Sequence, residues 1–110
     1  MKRRRPLRRM SPKVRALIQD RQIIRGQVFA RDNYQCRLAV VPGAHCGGHL
    51  TPHHVRKASQ GGGYTIENLV TCCLHCNDRL EWDPLFAADA RTLGLVARRG
   101  DPRYDELGAA

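Results

Sequence analysis

Large aromatic side chains are scarce in this chain: one Trp, three Tyr and two Phe, 5% of 110 residues. A chain of that length makes one small domain, and with so few aromatics its core is thin. Domains of this size often lean on a metal or on disulfides for stability. Long apolar runs are also missing. No stretch approaches the length needed to cross a membrane. No apolar segment of signal-peptide length follows the basic start, so secretion is not expected. A cytoplasmic setting, in a bacterium or a phage-infected host, keeps thiols reduced, and the five cysteines are then better suited to metal than to disulfides.

Acidic residues are nearly absent from the first part of the chain. Up to residue 66 there are fourteen Lys or Arg against two acids, Asp20 and Asp32. From Glu67 onward there are five basic residues against eight acids. The overall charge of +9 is therefore concentrated at one end. Such a block favours a polyanionic partner, because each neutralised phosphate releases condensed counterions. Nucleic acid is the expected partner, and no membrane association is expected.

Residues 1–10 form a basic arm carrying Arg3, Arg4, Arg5, Arg8 and Arg9. It has no apolar periodicity and is expected to be disordered without a partner. Ser11-Pro12 is a helix start, with Ser as N-cap and Pro in the first turn. Val14, Leu17, Ile18, Ile24 and Val28 recur at helical spacing to about Arg31, with Gly26 a point where the helix could divide. Tyr34 to Val41 reads as a short strand, and Leu50 to Val55 as another. Gly61-Gly62-Gly63 marks a loop between Lys57 and Tyr64. Asn68 to Thr71 leads into a helix from near Cys73 to about Glu81. Asp83-Pro84 starts a further helix that Gly94 ends. Leu95-Val96-Ala97 reads as an edge strand. The domain is expected to run from 11 to 97, with 98–110 a loop-like tail.

Cys73-x-x-Cys76 is a chelating half-site, since that spacing turns both sulfurs toward one ion. Cys36 and Cys46 supply the other half, separated by an insertion rich in Pro and Gly. A closed site of four thiolates is the arrangement of a structural zinc. His45 and His75 flank ligands but suit such a site less well. Cys72 adjoins Cys73 and reads as a small core residue.

Between the two cysteine pairs lie His53-His54 and then Asn68, and Asn77 follows Cys76. Adjacent strand residues point to opposite faces, so the His pair alone says little. The ordered set says more. Arg31-Asp32-Asn33-Tyr34-Gln35-Cys36, Pro52-His53-His54-Val55, the Gly-rich loop, Asn68-Leu69-Val70 and Cys73-x-x-Cys76-Asn77 together resemble the HNH endonuclease family, the ββα-metal nucleases, over roughly residues 28–84. The resemblance implies an α+β fold: a small zinc-stabilised ββα-metal domain with one helix before it and one after.

It also implies roles. His53 falls in the slot of a catalytic metal ligand and His54 in that of the general base. Asn68 is the middle asparagine, which braces the loop and orients the base. Asn77 stands where the family usually has its last His, a metal ligand, and is the chain's departure from the pattern. An amide oxygen still suits a hard ion such as Mg²⁺ or Mn²⁺. Glu81, four residues on, shares a helix face with Asn77 and is a further ligand for the same ion. Arg56, Lys57 and Arg79 lie near the motif and are candidates for holding DNA phosphates. The activity so implied is metal-dependent hydrolysis of DNA phosphodiester bonds. The alternative is a non-catalytic zinc-bound nucleic-acid-binding module. The segments Leu93-Gly94-Leu95-Val96 and Arg98-Arg99-Gly100-Asp101-Pro102 look like the tail of small phage-type members, which implies a DNA-packaging terminase as partner.

Overall fold

The computed structural model describes residues 10–109. The basic arm with Arg3, Arg4, Arg5, Arg8 and Arg9 lies outside the described residues. Five regular elements follow in order: α1 (Pro12–Arg31), β1 (Leu50–His54), β2 (Leu69–Cys73), α2 (Leu74–Trp82) and α3 (Pro84–Thr92). Short 3-10 turns lie at Arg37–Val40, Ala58–Gln60 and Asp105–Leu107. The protein is therefore α+β, with a two-stranded sheet. Among the described residues no helix is long and apolar enough to cross a membrane.

α1 begins as its sequence implies. The Ser11 hydroxyl accepts from the Val14 N–H at 3.2 Å, satisfying one of the donors a helix start leaves unpaired. Gly26 does not divide it. The apolar residues at helical spacing, however, do not make a buried stripe. Val28 is the one buried residue of α1, and every residue from Ser11 to Ile23 is exposed. The helix thus anchors at its C-terminal end and extends away from the body.

That anchor is electrostatic. The Asp32 side chain, 2% exposed, accepts from Arg31 at 2.9 and 3.0 Å, from Arg37 at 3.1 Å and from the Thr71 backbone N–H at 2.9 Å. Arg31 also donates to the Ile66 and Leu69 carbonyls, both at 2.7 Å. Burial alone would raise the Asp32 carboxyl, but these hydrogen bonds outweigh it and hold the group well below the usual carboxylate range. The end of α1 is thereby fastened across β2.

Two expected strands are absent. Tyr34 to Val41 turns instead: Asn33 and Tyr34 both adopt φ of 55°, and Arg37–Val40 is a 3-10 turn. Its β-branched residues pack as single side chains, Val41 buried and Val40 exposed. Leu95 to Ala97 contributes one sheet-like bond, from the Ala97 N–H to the Val55 carbonyl at 2.8 Å, and stays irregular because Leu95 N–H instead closes α3 at the Ala90 carbonyl. Conversely, the lead-in from Asn68 contains β2. It pairs antiparallel with β1, from Leu50 opposite Cys73 to His54 opposite Leu69. Every residue of β2 is buried, so it lacks the alternation that marks a half-exposed strand.

The core gathers Leu38, Val41, Val55, Val70, Phe86, Leu95, Tyr104 and Leu107 around three of the cysteines, Cys72, Cys73 and Cys76. Residues after 97 contribute to it. Tyr104 and Leu107 are buried, and Gly63 and Ala109 exchange bonds with the Leu107 and Gly61 carbonyls at 3.1 and 2.8 Å.

Asp32→Asn keeps the shape of the anchor but removes its charge while two guanidinium groups remain. Unfolding in urea at neutral pH, with metal present, should show a loss of about 3 kcal/mol, the scale of breaking a buried ion pair from one side. A loss below about 1 kcal/mol, the scale of an exposed pair, would show that the anchor is not electrostatic.

Candidate metal centre and catalytic cleft

The four cysteines Cys36, Cys46, Cys73 and Cys76 converge, their sulfurs all within 4.8 Å of one another. Cys46 and Cys76 sulfurs are 3.9 Å apart. An ion about 2.3 Å from four tetrahedral sulfurs sets them about 3.8 Å apart, whereas a disulfide needs about 2 Å. The spacing fits an ion. The backbone prepares it too. The Cys73 sulfur caps α2 by accepting the Cys76 N–H at 3.3 Å and also accepts the Gly47 N–H at 3.4 Å, which fixes its direction toward the other three. A hydrogen bond from the Cys72 thiol, opposed by burial and aided by nearby backbone, lowers Cys36 to about 4. Burial and then the charge on Cys36 raise Cys46 to about 11. Cys76 is pushed up by burial and by the neighbouring sulfurs. Negative charge on several sulfurs this close is mutually repulsive, and a cation among them offsets that repulsion. Cys72 is fully buried and outside the four; its sulfur also lies 3.3 Å from the Cys73 carbonyl oxygen, so its single S–H is shared between that oxygen and Cys36.

Cys76 begins the run that carries Asn77 and Glu81 along α2 toward the end of β1. There His53, His54, Lys57, Asn77 and Glu81 line one cleft. His53 Nε2 lies 3.0 Å from the Leu95 carbonyl oxygen. A carbonyl only accepts, so Nε2 carries the proton and the Nδ1 lone pair remains for another partner. Metal-bound histidines are oriented by such a bond on their other nitrogen. Burial lowers the His53 pKa, partly offset by that carbonyl and by the Asn77 side chain. His54 is also lowered, by burial and then by the positive charge of Arg21. Both imidazoles are therefore neutral at neutral pH. The His54 ring meets Tyr64 edge-on, with centroids 5.7 Å apart. Lys57 Nζ is 3.5 Å from a Glu81 carboxylate oxygen, with both side chains open to solvent.

Asn68 is wholly buried and all of its amide is used. Its Oδ1 accepts the Arg56 N–H at 2.8 Å, and its Nδ2 donates to the Arg56 and Gly63 carbonyls at 3.0 and 2.9 Å. Its own carbonyl accepts the Val55 N–H at 2.9 Å. The chain leaving His54 is therefore held on both sides by one residue. Gly62 is required there for space: a Cβ would lie 1.8 Å from the Arg56 carbonyl oxygen.

The structure brings His53, His54, Asn77 and Glu81 together and sets Asn68 directly behind them. It turns Arg56 and Arg79 elsewhere. Arg56 donates to the Gln60 and Tyr104 carbonyls at 2.8 and 3.0 Å and stacks on Tyr104. Arg79 binds Asp83 at 3.0 Å and the Gly43 carbonyl at 2.6 Å, and stacks on Phe86. Lys57 alone of the three faces the cleft. The Leu95 carbonyl, Tyr64 and Arg21 are site neighbours that the residue pattern does not reveal. A backbone carbonyl leaves no trace in sequence, and Arg21 arrives from a helix more than thirty residues before His54.

A strand, a loop held by an asparagine, a second strand and a helix opening on a cysteine knuckle thus surround a histidine pair. The HNH endonuclease family model matches residues 43–81. Residues 43–81 are thus similar to the HNH endonuclease family. The match spans both strands and α2 up to Glu81, while Cys36, α1 and α3 lie outside it. No curated protein and no solved structure matches the chain.

Removal of Cys73 tests the metal centre, since it is both ligand and helix cap. Cys73→Ser should lose bound metal by elemental analysis and unfold, because in such small domains metal-binding energy is folding energy. Cys72→Ala should keep the wild-type metal content. Full retention of metal by Cys73→Ser would show that the four sulfurs are not the site.

Proposed function

We propose that the protein is a metal-dependent endonuclease that hydrolyses phosphodiester bonds in DNA. The observation that carries this is the convergence of His53, His54, Asn77 and Glu81 on one cleft, within the segment that matches the HNH endonuclease family. In this reading Cys36, Cys46, Cys73 and Cys76 hold a structural zinc. His53, through the nitrogen left free by Leu95, and Asn77 hold one hard divalent ion, Mg²⁺ or Mn²⁺, with Glu81 as a further oxygen ligand. When bound, that ion supplies Lewis-acid stabilisation of charge on the phosphate and on the departing oxygen.

His54 does the proton chemistry. A neutral imidazole accepts a proton from water as the water oxygen attacks phosphorus and the bond to the leaving oxygen breaks. Asn68 is a positioning residue. It fixes the backbone on which His54 sits and touches no substrate itself. Lys57, at the cleft beside Glu81, is placed to meet a flanking phosphate. The basic arm adds sequence-independent affinity for DNA. Likeness of the tail to small phage-type members adds a terminase as a proposed partner, on that likeness alone.

Asn77 in place of a histidine favours a second reading, a non-catalytic nucleic-acid-binding module. One measurement separates the two: plasmid nicking across a panel of divalent ions. Wild type should nick in Mg²⁺ or Mn²⁺. His54→Ala should lose about 10²-fold or more in rate, the usual contribution of a general base, while keeping metal content and DNA affinity. Asn77→His should shift activity toward softer ions such as Ni²⁺. Binding of DNA without nicking in any ion would select the non-catalytic module, and an undiminished His54→Ala rate would remove His54 as the base.

A further inference from the structure

α1 lies outside the family match, yet one of its side chains reaches the ring that packs against His54. The Arg21 guanidinium carbon sits 5.0 Å from the centre of the Tyr64 ring, the same ring that His54 meets edge-on. One turn on, Arg25 stacks on Phe29 at 5.2 Å. Residues four apart share a helix face, so the two guanidiniums form one exposed edge. Of the charged residues in α1, Lys13, Arg15, Arg21, Arg25 and Arg31 face a single acid, Asp20.

The arginines of this protein divide by what their donors do. Arg31, Arg56, Arg79 and Arg91 all donate to carboxylates or carbonyls of the fold. Arg21 and Arg25 make no side-chain hydrogen bond and no ion pair among the described residues. Stacking on a ring face fixes a guanidinium's plane but leaves its in-plane N–H groups free. Free, coplanar donors are what a phosphate takes in a bidentate contact. Tyr64 lies between Arg21 and His54, so the guanidinium is within about three base steps of His54, at about 3.4 Å of rise per step along a strand.

We propose, resting on the endonuclease reading, that Arg21 and Arg25 form a phosphate-binding edge that seats the cleaved DNA strand beside His54, with Tyr64 as the surface that holds Arg21 in place. α1 is then part of the substrate site. Its exposed length is the track along which the strand approaches, and its anchor at Asp32 sets the angle of that track.

The test uses the full chain loaded with zinc. Binding to a labelled duplex is followed by fluorescence anisotropy as salt is raised, with no other divalent ion present, and nicking is measured separately in Mg²⁺ or Mn²⁺. Arg21→Ala and Arg25→Ala should each reduce the slope of log affinity against log salt by about 0.9, the value for one phosphate contact on duplex DNA. Arg21→Ala should also lose about tenfold in kcat/KM, while Arg21→Lys, which keeps the charge, should restore the slope. Melting temperature and zinc content should not change, since both side chains are exposed. Nicking by wild type with unchanged salt slopes in both alanine variants would overturn the phosphate edge and leave the nuclease reading intact. Slopes reduced in both alanine variants, with wild type nicking in no ion, would support the edge and overturn the nuclease reading instead.

Discussion

Four sulfurs crowded within 4.8 Å are the constraint on which the rest of this small structure depends. They come from the turn after α1, from the loop before β1, from the end of β2 and from the first turn of α2. A core with so few aromatic residues would hold these pieces weakly, and bare thiolates would push them apart. A cation reverses the sign of that interaction. Held there, it would turn mutual repulsion into attraction, and its binding energy would become folding energy. Because Cys73 and Cys76 also set the start of α2, the same junction decides where Asn77 and Glu81 point.

A second junction fixes the other wall of the cleft, and it is made of neutral hydrogen bonds. Asn68 uses every donor and acceptor of its side chain on the backbone at Arg56 and Gly63. Left half-satisfied in the interior, such a group would be costly; fully satisfied, it specifies one path for the chain after His54. Leu95 fixes His53 in a related way, through a carbonyl made available because the segment after α3 does not form a strand. The two histidines are thus positioned by two separate segments, the loop from Arg56 to Asn68 and the stretch at Leu95, while α2 approaches from the metal side. Each wall is rigid for a different reason, and the cleft is the gap between them.

Much of this was legible from residue types, and the physical reason is that chelation and capping are local. Cys73-x-x-Cys76, the Ser11-Pro12 and Asp83-Pro84 starts and the Gly-rich loop each act within a few residues, and the structure places them where the spacing implies. The α+β class and the HNH resemblance followed from their order. What escaped were features set by distant packing. β2 is buried on both faces, so its apolar run carries no period to read. Val14, Leu17 and Ile18 have helical spacing and do lie on a helix, but all three are exposed, because spacing alone does not say what a helix face packs against. Tyr34 to Val41 looked β-branched and extended, yet two consecutive positive φ values turn it toward the metal centre, where Cys36 must arrive. Chelation geometry there outweighs strand preference.

Charge was the least legible property, because a sequence counts arginines without showing what their donors face. Proximity to the motif singled out Arg56 and Arg79, and both guanidiniums close the protein's own carbonyls. Distance in sequence hid Arg21, whose guanidinium lies over the ring that meets His54. A buried carbonyl near an arginine captures it, since an unsatisfied acceptor in the interior costs more than a hydrogen bond returned to water. An aromatic face near an arginine orients it without satisfying it. The partners available within the fold therefore sort the arginines of this sequence into those that build the structure and those left to bind. In this protein that sorting leaves donors unused at Arg21 and Arg25 on α1, outside the matched segment, and at Arg98 and Arg99 after α3, where Arg98 lines a pocket with His53 and His54.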